Sequence, residues 1–290
     1  MRTARLELDK YEFLDDPGDL IEGLRKSGRR IDLFKFLQKL PDEEGELLNA
    51  APVYQYPMQW DNLAVLPLTT YDHWWNDQLR SVPRNRARQA AKKGVVIREA
   101  PFDDALVQGI WEVYNESPLR QGKPFAHYGK DIATVRRISE TFPDRSIFIG
   151  AYLDGALIGF IKLVLNSQRT QANIMHIVSM MKHREKAPTN ALIAQAVRSC
   201  TDRGVRNLVY QNFVYGKKGE DSLSQFKENN AFRQVNLPRY YVPLTGLGRL
   251  GLALGLHQKL VDRFPKPVIT KLRELRTSWH NRKLQGTEAS

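Results

Sequence analysis

The chain has 290 residues, 42% hydrophobic and 10% aromatic, which argues for a globular protein of one large domain or two small ones. No run reaches the roughly 18 apolar residues of a membrane span, and MRTARLELDKYEF lacks a signal peptide's apolar core, so the expected location is the cytoplasm. The single cysteine, Cys200, excludes an internal disulfide and argues against a cysteine-based metal site. The net charge of +12 is concentrated in two segments: residues 80–98 hold seven Lys/Arg and no acid, and residues 246–290 hold nine Lys/Arg against three acids. Such segments suit a phosphate-bearing partner or an anionic bilayer, or else they are solvated helix faces.

In chain order, residues 1–60 read as an N-terminal helical section. Asp19–Lys26 and Ile31–Leu40 carry apolar residues at helical spacing, broken by Ser27-Gly28. Pro52–Trp60 is aromatic and extended, and Leu63–Leu68 is a short strand closed by Pro67. Thr69 or Thr70 caps a helix over Tyr71–Leu79. Pro83–Lys93 is a basic helix stopped by Gly94, and Val95–Glu99 is a strand. A helix runs from Asp103 or Asp104 to Tyr114. Residues 115–130 then form a loop too long and too polar for a mere connection, and a helix follows over Asp131–Phe142.

The rest is organised around Ser146–Phe213. Ser146–Leu153 and Ala156–Leu165 are β-rich runs joined by Asp154-Gly155, a pair suited to a type I′ turn. Asn173–Met180 is a third strand. Pro188–Thr201 has helical periodicity with a start at Pro188 and a stop at Gly204, and Val205–Phe213 reads as the next strand. A meander followed by a strand–helix–strand crossover gives a mixed sheet that splays where its parallel pair begins. Small-substrate sites form at such switch points, so the active centre is expected at the ends of Asn173–Met180 and Val205–Phe213. A short helix from Ser222 to Asn230, a final strand pair or hooked strand over Gln234–Pro243, an apolar segment Leu247–His257 and a basic helix Thr270–Leu284 complete the chain.

This order resembles the GNAT acyltransferase fold: α/β, with a mixed, mostly antiparallel sheet and flanking helices. Three places are similar to its FemAB/FemX branch of bridge-forming aminoacyltransferases and their single-module relatives. The first is Trp75, Arg84, Arg88, Ala90, Lys92, Gly94 and Val95; the second is Ala187-Pro188-Thr189-Asn190-Ala191-Leu192. The third is Leu223, Phe226-Lys227 and Asn230-Ala231-Phe232. The resemblance covers about residues 60–245 and implies an acyltransferase module over 61–245, with basic amphipathic helices over 246–290. Two departures matter: the usual acetyl-CoA loop, R/Q-x-x-G-x-G/A, is absent, and Met181–Pro188 (MKHREKAP) has no glycine; and the long FemAB enzymes carry two such modules where this chain has one plus a short N-terminal section, so their peptidoglycan substrate does not carry over.

Acyl transfer to an amine needs a base, an oxyanion stabiliser and a clamp for the donor's phosphates. By the resemblance, Lys227 lies near the donor's phosphate or the developing oxyanion. His176, inside the third strand, is a candidate base or a buried structural histidine. His127, Tyr128 and Arg120 belong to the long loop, which lines the acceptor pocket in GNAT proteins. Gln211, Asn212 and Tyr215 lie at the expected splay, where polar groups can bond the acyl carbonyl. Arg84, Arg88, Lys92 and Lys93 bind phosphates or simply solvate a helix. No metal-ligand spacing and no Ser/His/Asp order is present.

The expectation is therefore a FemAB-like transferase moving an acyl or aminoacyl group from acyl-CoA or aminoacyl-tRNA, as co-substrate and without a tightly bound cofactor. The acceptor would be a small or lipid-linked amine such as a cell-envelope precursor, with direct attack in a ternary complex. Residues 246–290 would touch an anionic membrane, at the inner membrane surface. The competing reading is an inactive GNAT-like module that holds nucleic acid or anionic membrane through its basic segments.

Overall fold

A computed structural model describes residues 1–6, 13–14, 16–41, 51–120, 122–210, 212–214 and 222–257. The elements are β1 (Thr3–Arg5), β2 (Phe13–Leu14), α1 (Gly18–Lys26), β3 (Leu33–Gln38), β4 (Met58–Pro67), α2 (Tyr71–His73), α3 (Ser81–Lys92), β5 (Val96–Ala100), α4 (Asp104–Asn115), β6 (Leu119–Arg120), β7 (Lys123–Pro124) and α5 (Ile132–Ser139). There follow β8 (Ser146–Leu153), β9 (Ala156–Leu165), β10 (Gln171–Ser179), α6 (Pro188–Thr201), β11 (Asn207–Val209), α7 (Ser222–Asn229), β12 (Arg233–Pro243) and α8 (Gly246–Ala253). Ten strands share one mixed sheet in the order β1-β3-β12-β4-β11-β10-β9-β8-β5, with β2 also on the edge of β3. Among the described residues, only β1 and β2 against β3, and β10 against β11, pair in parallel.

The meander β8–β9–β10 follows from its sequence. Asp154 and Gly155 both take positive φ, +50° and +83°, as a type I′ hairpin requires. Along β9, Ile161, Leu163 and Leu165 pack on one face with α6, while Phe160 packs on the other with α4. The first face carries α3 and α6 over a core that includes Trp74, Ala90, Leu192, Ala196 and Val197. The second carries α4 and α5, whose Leu106, Val107, Ile110, Tyr114 and Val135 are buried against Phe148 and Phe160. Asp103 caps α4 through Leu106 N, and Asp131 caps α5 through Thr134 N.

Several expectations change. Ile31–Leu40 is a strand, not a helix: β3 lies inside the sheet between β12 and β1/β2 and is buried on both faces. Its apolar run therefore has no two-residue alternation, and such runs cannot be told from buried helix by periodicity. The N-terminal section is thus not purely helical, since β1, β2, β3 and the start of β4 join the same sheet as the rest. Tyr71–Leu79 is a brief α-turn continued by a π-helical turn, Trp74–Gln78. Gln234–Pro243 is one long strand, β12. Thr270–Leu284 lies outside the described residues.

The expected strand Val205–Phe213 pairs with β10 only over Asn207–Val209. Beyond Asn173↔Val209 the two chains part. Tyr210 N still donates to Ala64 O (2.8 Å) and Val214 N to Asn62 Oδ1 (2.7 Å), so the chain stays with β4 while β10 leaves. The register of β10 against β9 shifts between Ile174 and His176, at that same place. A bulge there bends β10 and opens the sheet.

Candidate active site at the parting of β10 and β11

Past the bulge, His176 stands directly across from Lys162 of β9, and both side chains lie on the α4/α5 face. Tyr114, fully buried on α4, brings its hydroxyl to 3.5 Å from His176 Nδ1. His127 reaches down from the long loop, stacks on Tyr114 with centroids 4.4 Å apart, and meets the His176 ring edge-on at 5.5 Å. Its Nδ1 is buried with no hydrogen-bond partner among the described residues. Phe125 closes the group, edge-on to both Tyr114 and His127.

Burial dominates the electrostatics here. It lowers the pKa of His176 to about 4, helped by His127, Lys162 and Lys130. It lowers His127 as well, with Lys130 and Arg120 adding to the effect, and it raises the Tyr114 phenol. Near pH 7 both imidazoles are neutral and Tyr114 keeps its proton, so the cluster offers lone pairs to accept a proton and one hydroxyl to donate. Lys162, whose burial lowers it to about 8, donates to Ser139 O (2.8 Å), Thr141 O (2.5 Å) and Thr141 Oγ1 (2.9 Å). It caps the C-terminal end of α5.

Arg120 holds the loop in place. It donates to Ser179 O (2.7 Å) and Val113 O (3.0 Å) and lies 4.5 Å over the Phe125 ring. Glu116 does the same from the next turn, accepting from Met181 N and Lys182 N, both at 2.8 Å. Those amides open the turn Met181–Lys186 that leads from β10 into α6. Tyr128 is exposed at 44% on the same loop.

Lys227 lies on the other side of the opening. It is fully buried, its Nζ donates to Asn212 O (2.5 Å), and it sits 4.6 Å from the centroid of the Tyr210 ring. Phe226 and Phe232 of the same region pack into the α3/α6 core. Asn212 spans the two faces: its carbonyl takes Lys227, and its amide reaches Asp61 Oδ1 at 3.5 Å. Asp61 in turn holds Arg239 at 2.6 Å. Gln211 and Tyr215 lie outside the described residues.

The four expected phosphate ligands divide. Arg84 is spent on structure, donating to Leu79 O (2.6 Å) and Asn76 O (3.2 Å) at the end of the π-helical turn. Lys93 donates to Glu185 O (2.6 Å), which fastens α3 to the turn before α6. Arg88, over the Trp75 ring at 5.5 Å, and Lys92 are exposed. The structure thus gathers His127, His176 and Arg120 on one side of the opening and Lys227 with Asn212 on the other.

Sequence reasoning missed Tyr114, named only as the end of its helix, and Glu116, which has no local signal. Lys162 did carry one, as the lone charge in the apolar run ALIGFIKLVL. The Cys200 thiol is buried and pushed up to about 12, which rules it out as a nucleophile at neutral pH. Among the described residues no group of three or more His, Cys, Asp or Glu could hold a metal ion.

No protein-family model and no curated protein sequence matches this chain. Solved structures do. L-PGS from Bacillus licheniformis superposes with a TM-score of 0.53 at 12% identity, covering 82% of this chain and 75% of that one. FemX gives 0.51 at 11% identity over 78% and 69%. The C-terminal domain of a putative lysylphosphatidylglycerol synthetase from Agrobacterium fabrum gives 0.50 at 15% identity over 81% and 75%. At these identities the likeness concerns the fold alone: the chain is folded like FemX and like these two other structures.

Proposed function

We propose that the protein transfers an acyl or aminoacyl group to an amine, with the reacting carbonyl in the opening between β10 and β11. The observation that carries this reading is the buried His176 at the bulge, on the wall of that opening and next to Tyr114 and His127. The amine nitrogen attacks the carbonyl carbon, the carbonyl oxygen takes the electron pair, and His176 accepts the proton that the new ammonium sheds. Collapse of the tetrahedral intermediate expels the carrier oxygen or sulfur, which takes that proton back from His176 and leaves the imidazole neutral again. A histidine held this far below its usual pKa is a weak base in the resting site; the oxyanion that forms beside it raises its proton affinity as the proton must move. Lys227 is a fixed positive charge on the opposite wall.

Two observations favour a polyanionic donor, an aminoacyl-tRNA, over acyl-CoA. Glu116 already fills the two amides at the start of the turn before α6, so those amides are not available to a pyrophosphate. The same turn instead presents Lys182 and Arg184 as exposed side chains, and it is fastened to the basic α3. The acceptor is a small or lipid-linked amine.

Thermal stability of the full chain with acetyl-CoA, longer acyl-CoAs and aminoacyl-tRNA tests the donor, because a ligand of the native state alone raises its stability. Stabilisation by aminoacyl-tRNA that weakens steeply with salt is the expected result. In single-turnover assays His176→Gln should slow transfer by about 10²–10⁴-fold. Stabilisation by a coenzyme A ester alone would reverse the choice of donor. No response to any of them would leave a binding module.

A further inference from the structure

The end of the sheet that carries α8 has a surface the transfer chemistry does not use. Leu247 and Leu250, one turn apart on α8, are 46% and 55% exposed, and Leu254 and Leu256 beyond them are 59% and 54% exposed. Monomeric proteins rarely gather large apolar side chains on one short exposed helix without a use for them. The helix face beneath is fixed rigidly. Gly248 passes so near Asp32 O that a Cβ there would lie 1.9 Å from it, and Gly251 packs on Met1 Sδ. Thr245 caps the helix through Gly248 N and donates its hydroxyl to Asp32 Oδ1, while Arg2 N donates to Asp32 Oδ2. Neither glycine has room for a side chain, so the leucines are held outward on a platform shared by the N-terminal strand, the entry to β3 and α8.

The exposed charged side chains at the joints of this platform are basic. Arg2, Arg29, Arg30 and Arg249 are all exposed, and the acid at their centre, Asp32, is buried and bonded inward. The 33 residues that follow, 258–290, hold eight Lys/Arg against three acids. Exposed leucines on a platform whose exposed charges are arginines match a surface that is apolar within and anionic at its face. A nucleic acid would use the arginines and leave the leucines in water, and a second copy of the chain would bring like charges together.

We propose that the α8 end of the molecule rests on an anionic lipid bilayer, with Leu247, Leu250, Leu254 and Leu256 in the interface and Arg2, Arg29, Arg30 and Arg249 against the headgroups. This goes beyond the transfer reaction and does not depend on it. It would set the molecule on the face of the membrane, where a lipid-linked acceptor is concentrated.

The test is co-sedimentation of the full chain with vesicles of phosphatidylcholine alone and with 30% phosphatidylglycerol, at low and high salt. Binding is expected only with the anionic vesicles and should weaken as salt rises. Arg249→Gln should weaken it about fivefold. Leu247→Gln with Leu250→Gln should weaken it more than tenfold, with the melting temperature and the transfer of label to a soluble amine unchanged. Equal binding to both vesicle types, or indifference to the leucine changes, would overturn the proposal. So would the absence of vesicle binding together with leucine-dependent dimers in sedimentation, which would give the ridge to a second copy, or capture by RNA that ignores the leucines.

Discussion

Between pH 7 and pH 4 His176 takes up a proton in the unfolded chain but resists it in the folded one, because its ring is buried beside Tyr114, His127 and Lys162. Its pKa falls from the usual 6.5 to about 4. Each tenfold loss of proton affinity is worth about 1.4 kcal/mol, so full protonation of this one group costs the native state about 3 kcal/mol. The sign follows from linkage. The folded pKa is the depressed one, so the unfolded chain binds more protons throughout this window, and stability is lost as pH falls from about 6.5 to about 4. His127, lowered for the same reason, adds to the slope. Urea midpoints measured from pH 7.5 to 4.5 should decline in the parent protein and decline less in His176→Asn, the two curves converging at the acid end. Proton NMR of the His176 ring gives the same quantity directly. A His176 resonance that titrates near 6.5, or identical pH slopes for parent and variant, would refute the buried placement of the ring and with it the site.

Lys162 obeys the same sign at higher pH. Its folded pKa of about 8 lies below the usual 10.5, so parent stability should rise from pH 8 towards 10 relative to Lys162→Met. Parallel urea midpoints over that range would show that its three hydrogen bonds at the end of α5 cancel the cost of burial. At the other side of the opening, Asp61→Ala deprives Arg239 of its carboxylate in a site where that side chain is only 8% exposed. The expected loss is about 3–5 kcal/mol in denaturant titrations, and a loss under 1 kcal/mol would mean that water or a neighbour replaces the carboxylate.

Where a local rule decides the structure, the chain could be read directly. Asp154-Gly155 fixes its hairpin by backbone torsion alone, and Pro188–Thr201 begins and ends where proline and the residues before Gly204 place it. The β8–β9–β10 meander and the crossover through α6 to β11 followed from these. What escaped the sequence is decided at long range. Leu33–Gln38 is a strand because β12 and the N-terminal strands flank it, and nothing in LFKFLQ distinguishes that from a buried helix. Glu116 meets the amides of Met181 and Lys182, 65 and 66 residues away, through the placement of α4 against the end of β10. Lys227 was legible as a candidate, but its complete burial against Tyr210 and Asn212 depends on how α7 returns to the sheet.

The bulge in β10 joins these levels. Ile174 pairs with Leu163 and His176 with Lys162, so Met175 is the extra residue. Deleting it would leave a regular ladder in which Ile174 still faces α6 and His176 still faces Tyr114, because adjacent ladder positions alternate faces. The deletion therefore separates the direction of His176 from the bend that the extra residue imposes. Met175 also packs against the cluster of Val164 and Val209, so its loss should cost about 2 kcal/mol. Without the bend, β10 is expected to run on beside Tyr210 and narrow the opening. Hydrogen exchange should then slow at the backbone amides just beyond Asn173 and Val209, and transfer activity should fall far more than stability. If the deletion variant folds, shows no new protection there and keeps full activity, the opening is not made by the bulge, and the reacting group does not lie where β10 and β11 part.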